Sequence, residues 1–200
     1  MRDKWQIDTF FIPGFHIASS TDVIANPHQC MPTIMFCNPN GVLYETFALQ
    51  TEWVKFYTQK GINVFLWNYW GIGRNKGFTS PRKIMQDGED ILEYLIKEKG
   101  CLKIGIHGYS MGGAVACHLA KTQNVDMIIA DRTFSSLGSM VKALYGKHLF
   151  RLFSFFTFCW WNLWNDEKYL FANCYKLIAC DPMDEIVIES CSLKQGLTNL

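Results

Sequence analysis

The sequence predicts an α/β fold: a mostly parallel β-sheet with helices on both faces. Three observations carry that prediction. Short apolar runs at 33–37, 62–68, 102–106, 125–130 and 175–180 alternate with stretches whose apolar residues recur at helical spacing. Alternating strands and helices imply crossover connections, and those connections make the strands parallel. The runs are nearly continuous rather than alternating, as in strands covered on both faces. With 49% hydrophobic and 18% charged residues over 200, the chain suits a single domain around a substantial core.

The elements follow in order. Residues 5–12 alternate and then run apolar up to Pro13-Gly14, which predicts an early strand at a sheet edge. Asn26-Pro27 and Met31-Pro32 make most of 15–32 loop. After the buried strand 33–37, Asn38-Pro39-Asn40-Gly41 turns the chain into a helix over about 43–60, with Leu43, Phe47, Val54 and Tyr57 on one face and Gly61 at its end. The strand 62–68 follows, then a Gly-rich loop to Ser80. Ser80-Pro81 caps a helix to about Lys99, where Ile84, Ile91, Leu92, Leu95 and Ile96 repeat at helical spacing before Gly100. A strand at 102–106 leads into Gly108-Tyr109-Ser110-Met111-Gly112 and a helix rich in small residues. The strand 125–130 ends at Asp131, and residues 136–173 read as helical and very aromatic. The last strand, 175–180, precedes a helix up to about Gly196.

The chemistry centres on Ser110. G-x-S-x-G between a strand and a helix is a nucleophile elbow, a sharp turn that lifts a serine hydroxyl above the sheet. Gly108 and Gly112 are needed where a side chain would strike neighbouring backbone. Serine needs an adjacent base, oriented by an acid, and the developing oxyanion needs donors. The Met111 backbone N–H is one donor. The second comes from the 38–41 loop, and since Pro39 has no N–H, Asn40 is preferred over Gly41.

These motifs resemble an α/β-hydrolase of the serine-aminopeptidase and monoacylglycerol-lipase-like branch. The likeness covers 33 to about 187. It rests on the Cys37-Asn-Pro-Asn-Gly41 loop, Asn68-Tyr-Trp-Gly-Ile-Gly-Arg-Asn-Lys-Gly77, Gly108-Tyr-Ser-Met-Gly-Gly113, Asp131-Arg-Thr-Phe-Ser-Ser136 and Asp181-Pro-Met-Asp-Glu-Ile-Val187. Relatives usually begin the first loop with His-Gly, where this chain has Asn38-Pro39. The resemblance implies an acid in an Asp-x-x-Val context after the strand beyond the cap, which matches Asp184 with Val187. Asp131, one strand earlier, is the rival, and its other reading is an ion pair with Arg132 that shapes a loop.

The resemblance also implies a histidine base beyond the acid. All five histidines (16, 28, 107, 118 and 148) precede Asp184, and 185–200 is too short for a further strand, helix and histidine loop. The sequence therefore leads to the expectation that a final strand and helix are missing and that ordinary turnover fails in the chain as given. His107 reads as a core histidine, His118 lies two helical turns past Ser110, and His148 falls in the cap.

The expected organisation is one domain over 1–200 with a helical cap at about 138–170. Residues 149–164 are too short for the ~20 needed to span a bilayer. Their aromatic rings suit an acyl chain, a membrane surface in peripheral contact, or packing onto the body. Gly71-x-Gly73 with Gly77 lacks dinucleotide-fingerprint spacing, and the scattered histidines and acids offer no metal cluster, so neither cofactor nor metal is expected. A net charge of +1 with dispersed basic residues gives no case for nucleic acid. The eight cysteines show no C-x-x-C spacing and Met1-Arg-Asp-Lys-Trp5 lacks a signal-peptide core, which predicts an intracellular protein, cytoplasmic or peripheral to a membrane. The expected reaction is cleavage of an ester, thioester or amide, with a lipid or acyl-protein substrate favoured. The alternatives are a non-catalytic binding protein of the same fold or an inactive form without the base.

Overall fold

The computed structural model describes residues 7–15, 31–46, 52–157 and 163–200, with backbone alone at 149 and 152–157. Six strands form one sheet: β1 (Thr9–Ile12), β2 (Thr33–Cys37), β3 (Asn63–Trp67), β4 (Ile104–Tyr109), β5 (Met127–Asp131) and β6 (Tyr175–Ala179). Their order is β1-β3-β2-β4-β5-β6. β1 runs antiparallel to β3 at one edge, and every other pair is parallel. β2 and β3 are buried at every residue, as their continuous apolar runs predict.

The helices are α1 (Trp53–Gln59), α2 (Pro81–Lys97), α3 (Met111–Thr122), α4 (Leu137–Thr157), α5 (Asp166–Phe171) and α6 (Leu193–Thr198), with a 3-10 turn at Glu189–Cys191. Strand side chains alternate between faces, so the sheet has two cores. On one face Met35, Phe65, Ile106 and Ile128 meet Ile84, Ile91, Leu92 and Leu95 of α2 and Val115 and Leu119 of α3. On the other, Ile34, Phe36, Val64 and Leu66 meet Tyr57 of α1, with Trp53 and Val54 beside it. α2 starts as predicted, Pro81 at its first turn and the Ser80 hydroxyl accepting from the Lys83 N–H at 3.2 Å.

Several boundaries differ from the sequence reading. β4 begins and ends later than 102–106. Leu102 is exposed, while His107 and Gly108 continue the strand because the buried imidazole has partners for both nitrogens. Of the helix expected over 43–60, the structure holds a turn at 44–46 and α1, and 47–51 lie outside the described residues. Ile96 sits off the buried face of α2 and is exposed. The stretch 136–173 is not one helix. α4 bends at Gly146, whose φ of 81° and ψ of 173° no helix accommodates, and α5 is separate. The last helix ends at Thr198 rather than near Gly196. Cys37, Cys101, Cys117, Cys174, Cys180 and Cys191 are free thiols, and Cys30 and Cys159 lie outside the described residues. Among the described residues no helix is long and apolar enough to cross a membrane.

Candidate active site

Ser110 stands at the junction of β4 and α3 with φ 52° and ψ −114°. L-residues rarely adopt positive φ, and among the described non-glycine residues only Ser110 and Arg132 do. The turn is tight because its glycines leave no room for side chains. A Cβ on Gly108 would come 2.6 Å from the Gly113 Cα, and one on Gly112 would land on the Cys37 carbonyl. Gly112 therefore lets the first turn of α3 press against the end of β2, where the 38–41 loop begins.

That loop is oriented by β3. The Asn38 side-chain amide donates to the Trp67 carbonyl at 2.6 Å, and the Tyr69 hydroxyl donates to the Asn38 carbonyl at 2.8 Å. One cavity brings Asn40 and Met111 into a common lining with Val42, Tyr69, Ile72 and Ile84. Neither the Asn40 nor the Met111 backbone N–H donates to a protein acceptor among the described residues. A second cavity is lined by Arg132, Thr133, Asp181, Pro182, Val187 and Lys194. Half-buried Ser110 lines neither of these two cavities; Met111 of the first follows it in the chain, Thr133 of the second bonds its carbonyl, and its hydroxyl makes no hydrogen bond among the described residues.

The two rival carboxylates have different surroundings. Asp131 is buried at the end of β5, on the α1 face of the sheet. Its carboxylate accepts from His107 Nε2 at 3.3 Å and from Arg132 Nε at 3.0 Å. Burial alone would raise its pKa, but the bonds from His107 and Arg132 and the charge of Arg132 hold it below the ordinary carboxylate value. An ionised Asp131 only accepts, so Nε2 carries the proton, and in the neutral ring Nδ1 accepts from the Tyr57 hydroxyl 2.8 Å away. Burial first, then the Asp131 charge, pushes that phenol far above its usual pKa and keeps it a donor. Asp131 thus forms the ion pair with Arg132 that the sequence suggests, and it also bonds His107.

Asp184 lies in the loop after β6 and is half-buried. Its Oδ1 accepts from the Ile186 and Val187 amides at 2.8 and 2.9 Å, and Oδ2 carries no hydrogen bond among the described residues. Burial first raises the pKa of Tyr109, and against its burial that of Arg132 is raised by the Asp131 bond and charge; the charge of Asp184 adds a smaller upward push to each. Among the described histidines, His107 is occupied as above, His118 Nε2 pairs with Glu89 at 2.8 Å, and His148 is exposed on α4. No hydrogen bond joins any of the three to Ser110. His16 and His28 lie outside the described residues. No group of His, Cys, Asp and Glu that could hold a metal ion occurs among the described residues.

Sequence reasoning missed Thr133, whose hydroxyl donates to the Ser110 carbonyl. It also missed Tyr57 as the partner of His107. The hint for Thr133 was its place in the Asp131–Ser136 loop, one of the loops leaving the carboxyl ends of the strands.

A parallel sheet with one antiparallel edge strand, helices on both faces and a strained serine turn above its centre defines the class as an α/β-hydrolase fold. The profile of the serine aminopeptidase S33 family matches residues 43–145, and the chain belongs to that family. It is similar to protein bem46 of Schizosaccharomyces pombe, with 36% identity over 94 residues, 45% of this chain and 31% of that one. It is also similar to the uncharacterized membrane protein YNL320W of Saccharomyces cerevisiae, with 28% identity over 163 residues, 80% of this chain and 54% of that one. Thus the matched part spans a third to a half of these relatives' length. The solved structure of an α/β hydrolase from Vibrio vulnificus superposes with a TM-score of 0.64 at 24% identity, covering 73% of this chain and 55% of that one.

Proposed function

We propose that the protein is a serine hydrolase that cleaves an ester, thioester or amide through an acyl-enzyme on Ser110. The observation that supports this most is the Ser110 backbone, held at positive φ between β4 and α3 with a hydroxyl that makes no hydrogen bond among the described residues. A strained residue over-determined by its surroundings is the signature of a position fixed for chemistry. In this reading Ser110 attacks the carbonyl carbon, and the tetrahedral oxyanion takes the Met111 and Asn40 N–H groups. Asp184 is set to orient a histidine base, a role that none of the described histidines fills: its Oδ1 is anchored by two amides, and its Oδ2 makes no hydrogen bond among the described residues. The cavity beside Asn40 and Met111 is walled by Val42, Ile72 and Ile84, which suits an acyl chain. Residues 138–170 serve as a cap in this reading, and the aromatic stretch 149–164 meets an acyl chain, a membrane surface or the body of the domain; 158–162 and the side chains at 149 and 152–157 lie outside the described residues. Leu137, Met140 and Ala143 pack onto the main core, so the start of this segment is anchored to the body.

The test is a fluorophosphonate probe followed by peptide mass spectrometry. The proposal expects one adduct on Ser110 that Ser110→Ala eliminates, and a folded protein without adduct contradicts it. A second reading, a binding protein of the same fold, draws on the lack of any hydrogen bond between Ser110 and a described histidine. It expects saturable binding of a fatty acid or acyl ester without any covalent adduct.

A further inference from the structure

We infer that Thr133 is a positioning residue for the Ser110 site: its hydroxyl fixes and polarises the Ser110–Met111 peptide whose N–H serves as an oxyanion donor. The inference rests on the reading of Ser110 as nucleophile. Two donors converge on the Ser110 carbonyl, the Thr133 hydroxyl and, at 3.0 Å, the Gly113 N–H. The Gly113 bond is a tight 3-10-type bond closed within the first turn of α3 itself. The Thr133 bond comes from another strand and has no such origin. Hydrogen bonds accepted at a carbonyl draw electron density through the amide, so the N–H at its other end becomes a stronger donor. They also fix the plane of that peptide, and an oxyanion hole works only when its donors are aimed beforehand.

The surroundings of Thr133 are arranged around this contact. Thr133 is buried, and its own carbonyl accepts from the Leu193 N–H at 2.7 Å. Arg132, just before it, holds φ 45°, which turns the chain at the end of β5 back toward Ser110. The Arg132 N–H is tied to the Ala179 carbonyl at 2.8 Å, its guanidinium is paired with Asp131, and it lies 4.4 Å from the centre of the Tyr109 ring. The Ser110 N–H donates to the Asp131 carbonyl at 2.9 Å. The segment 131–133 therefore grips Ser110 at its N–H, through its neighbour's ring and at its carbonyl. Gly113 has its reason here as well: a Cβ at that position would overlap the Thr133 hydroxyl.

Thr133→Val removes the hydroxyl at nearly constant volume, Thr133→Ser keeps it, and Thr133→Ala removes it with less volume should Val prove too tight beside Gly113. The 200-residue chain is read in two ways: the Met111 amide resonance in a ¹⁵N–¹H spectrum, and the second-order rate of fluorophosphonate labelling. The Val and Ala variants are expected to move the Met111 amide and slow labelling about tenfold, less than the ~10²–10³ lost with an entire oxyanion donor. Thr133→Ser is expected to restore both. A folded Val or Ala variant with an unmoved Met111 amide and an unchanged rate overturns the inference. If the wild type takes no label, the reading of Ser110 as nucleophile fails, and the Met111 resonance alone decides whether Thr133 sets that peptide.

Discussion

The turn at Ser110 and the loop at Asp184 both leave the carboxyl ends of parallel strands, β4 and β6, yet they are held in opposite ways. Ser110 is fixed from a distance: its N–H reaches Asp131, its carbonyl reaches Thr133, and Gly112 presses against Cys37. Asp184 is fixed locally, by amides two and three residues further along its own loop. A residue in an unfavourable backbone region costs roughly 1–3 kcal/mol and persists only where other elements over-determine it. A carboxylate in a turn carries no such cost and needs only its neighbours. Damage to β2 or β5 should therefore reach the nucleophile, whereas damage to the acid loop should stay there.

The sharpest break in that comparison comes from Ser110→Ala, which should abolish fluorophosphonate labelling while leaving the circular dichroism spectrum intact. Labelling that survives would move the nucleophile elsewhere. Gly112→Ala comes next. Its methyl meets the Cys37 carbonyl, backbone that cannot move aside cheaply, so denaturant unfolding should show a loss of about 3 kcal/mol or more. A loss under about 0.5 kcal/mol would mean that the turn is looser than its geometry implies.

Asp184→Ala removes an acceptor from two amides and should cost about 1 kcal/mol, without shifting the Met111 amide resonance. Asp184→Asn keeps an acceptor oxygen and should recover most of that stability. A Met111 resonance that moves in Asp184→Ala would show that the two regions are mechanically coupled.

The smallest effect concerns acid. The folded pKa of Asp131 is depressed, so the stability it contributes is present above the ordinary carboxylate value and is lost as pH falls through the folded value. Unfolding titrations should show stability declining below about pH 4, with a shallower slope in Asp131→Asn. An identical slope in the variant would assign the decline to other carboxylates.

The same contrast explains what the sequence disclosed. Features set by local pattern were legible: the continuous apolar runs of β2 and β3, the Ser80-Pro81 start of α2, and the glycines around Ser110. Asp184 was singled out by its likeness to the family's Asp-x-x-Val pattern, and the turn that it closes with its own neighbours' amides went unread. His107 was legible as a core histidine on the strand before Ser110, but its partners were not, because Tyr57 and Asp131 lie 50 and 24 positions away. Thr133 is 23 positions from Ser110, and no spacing rule links a threonine after one strand to a carbonyl at the end of another. Gly146 went unread because a lone glycine in a helical pattern is ordinarily tolerated, and only the observed φ shows that it breaks the helix.

The most direct test of the account is a crystal structure of the phosphonylated protein. The account predicts a bond from Ser110 Oγ to phosphorus, with the phosphoryl oxygen within ~3 Å of both the Met111 and Asn40 nitrogens. A phosphoryl oxygen turned instead toward the Arg132 guanidinium, with both amides facing solvent, would contradict it.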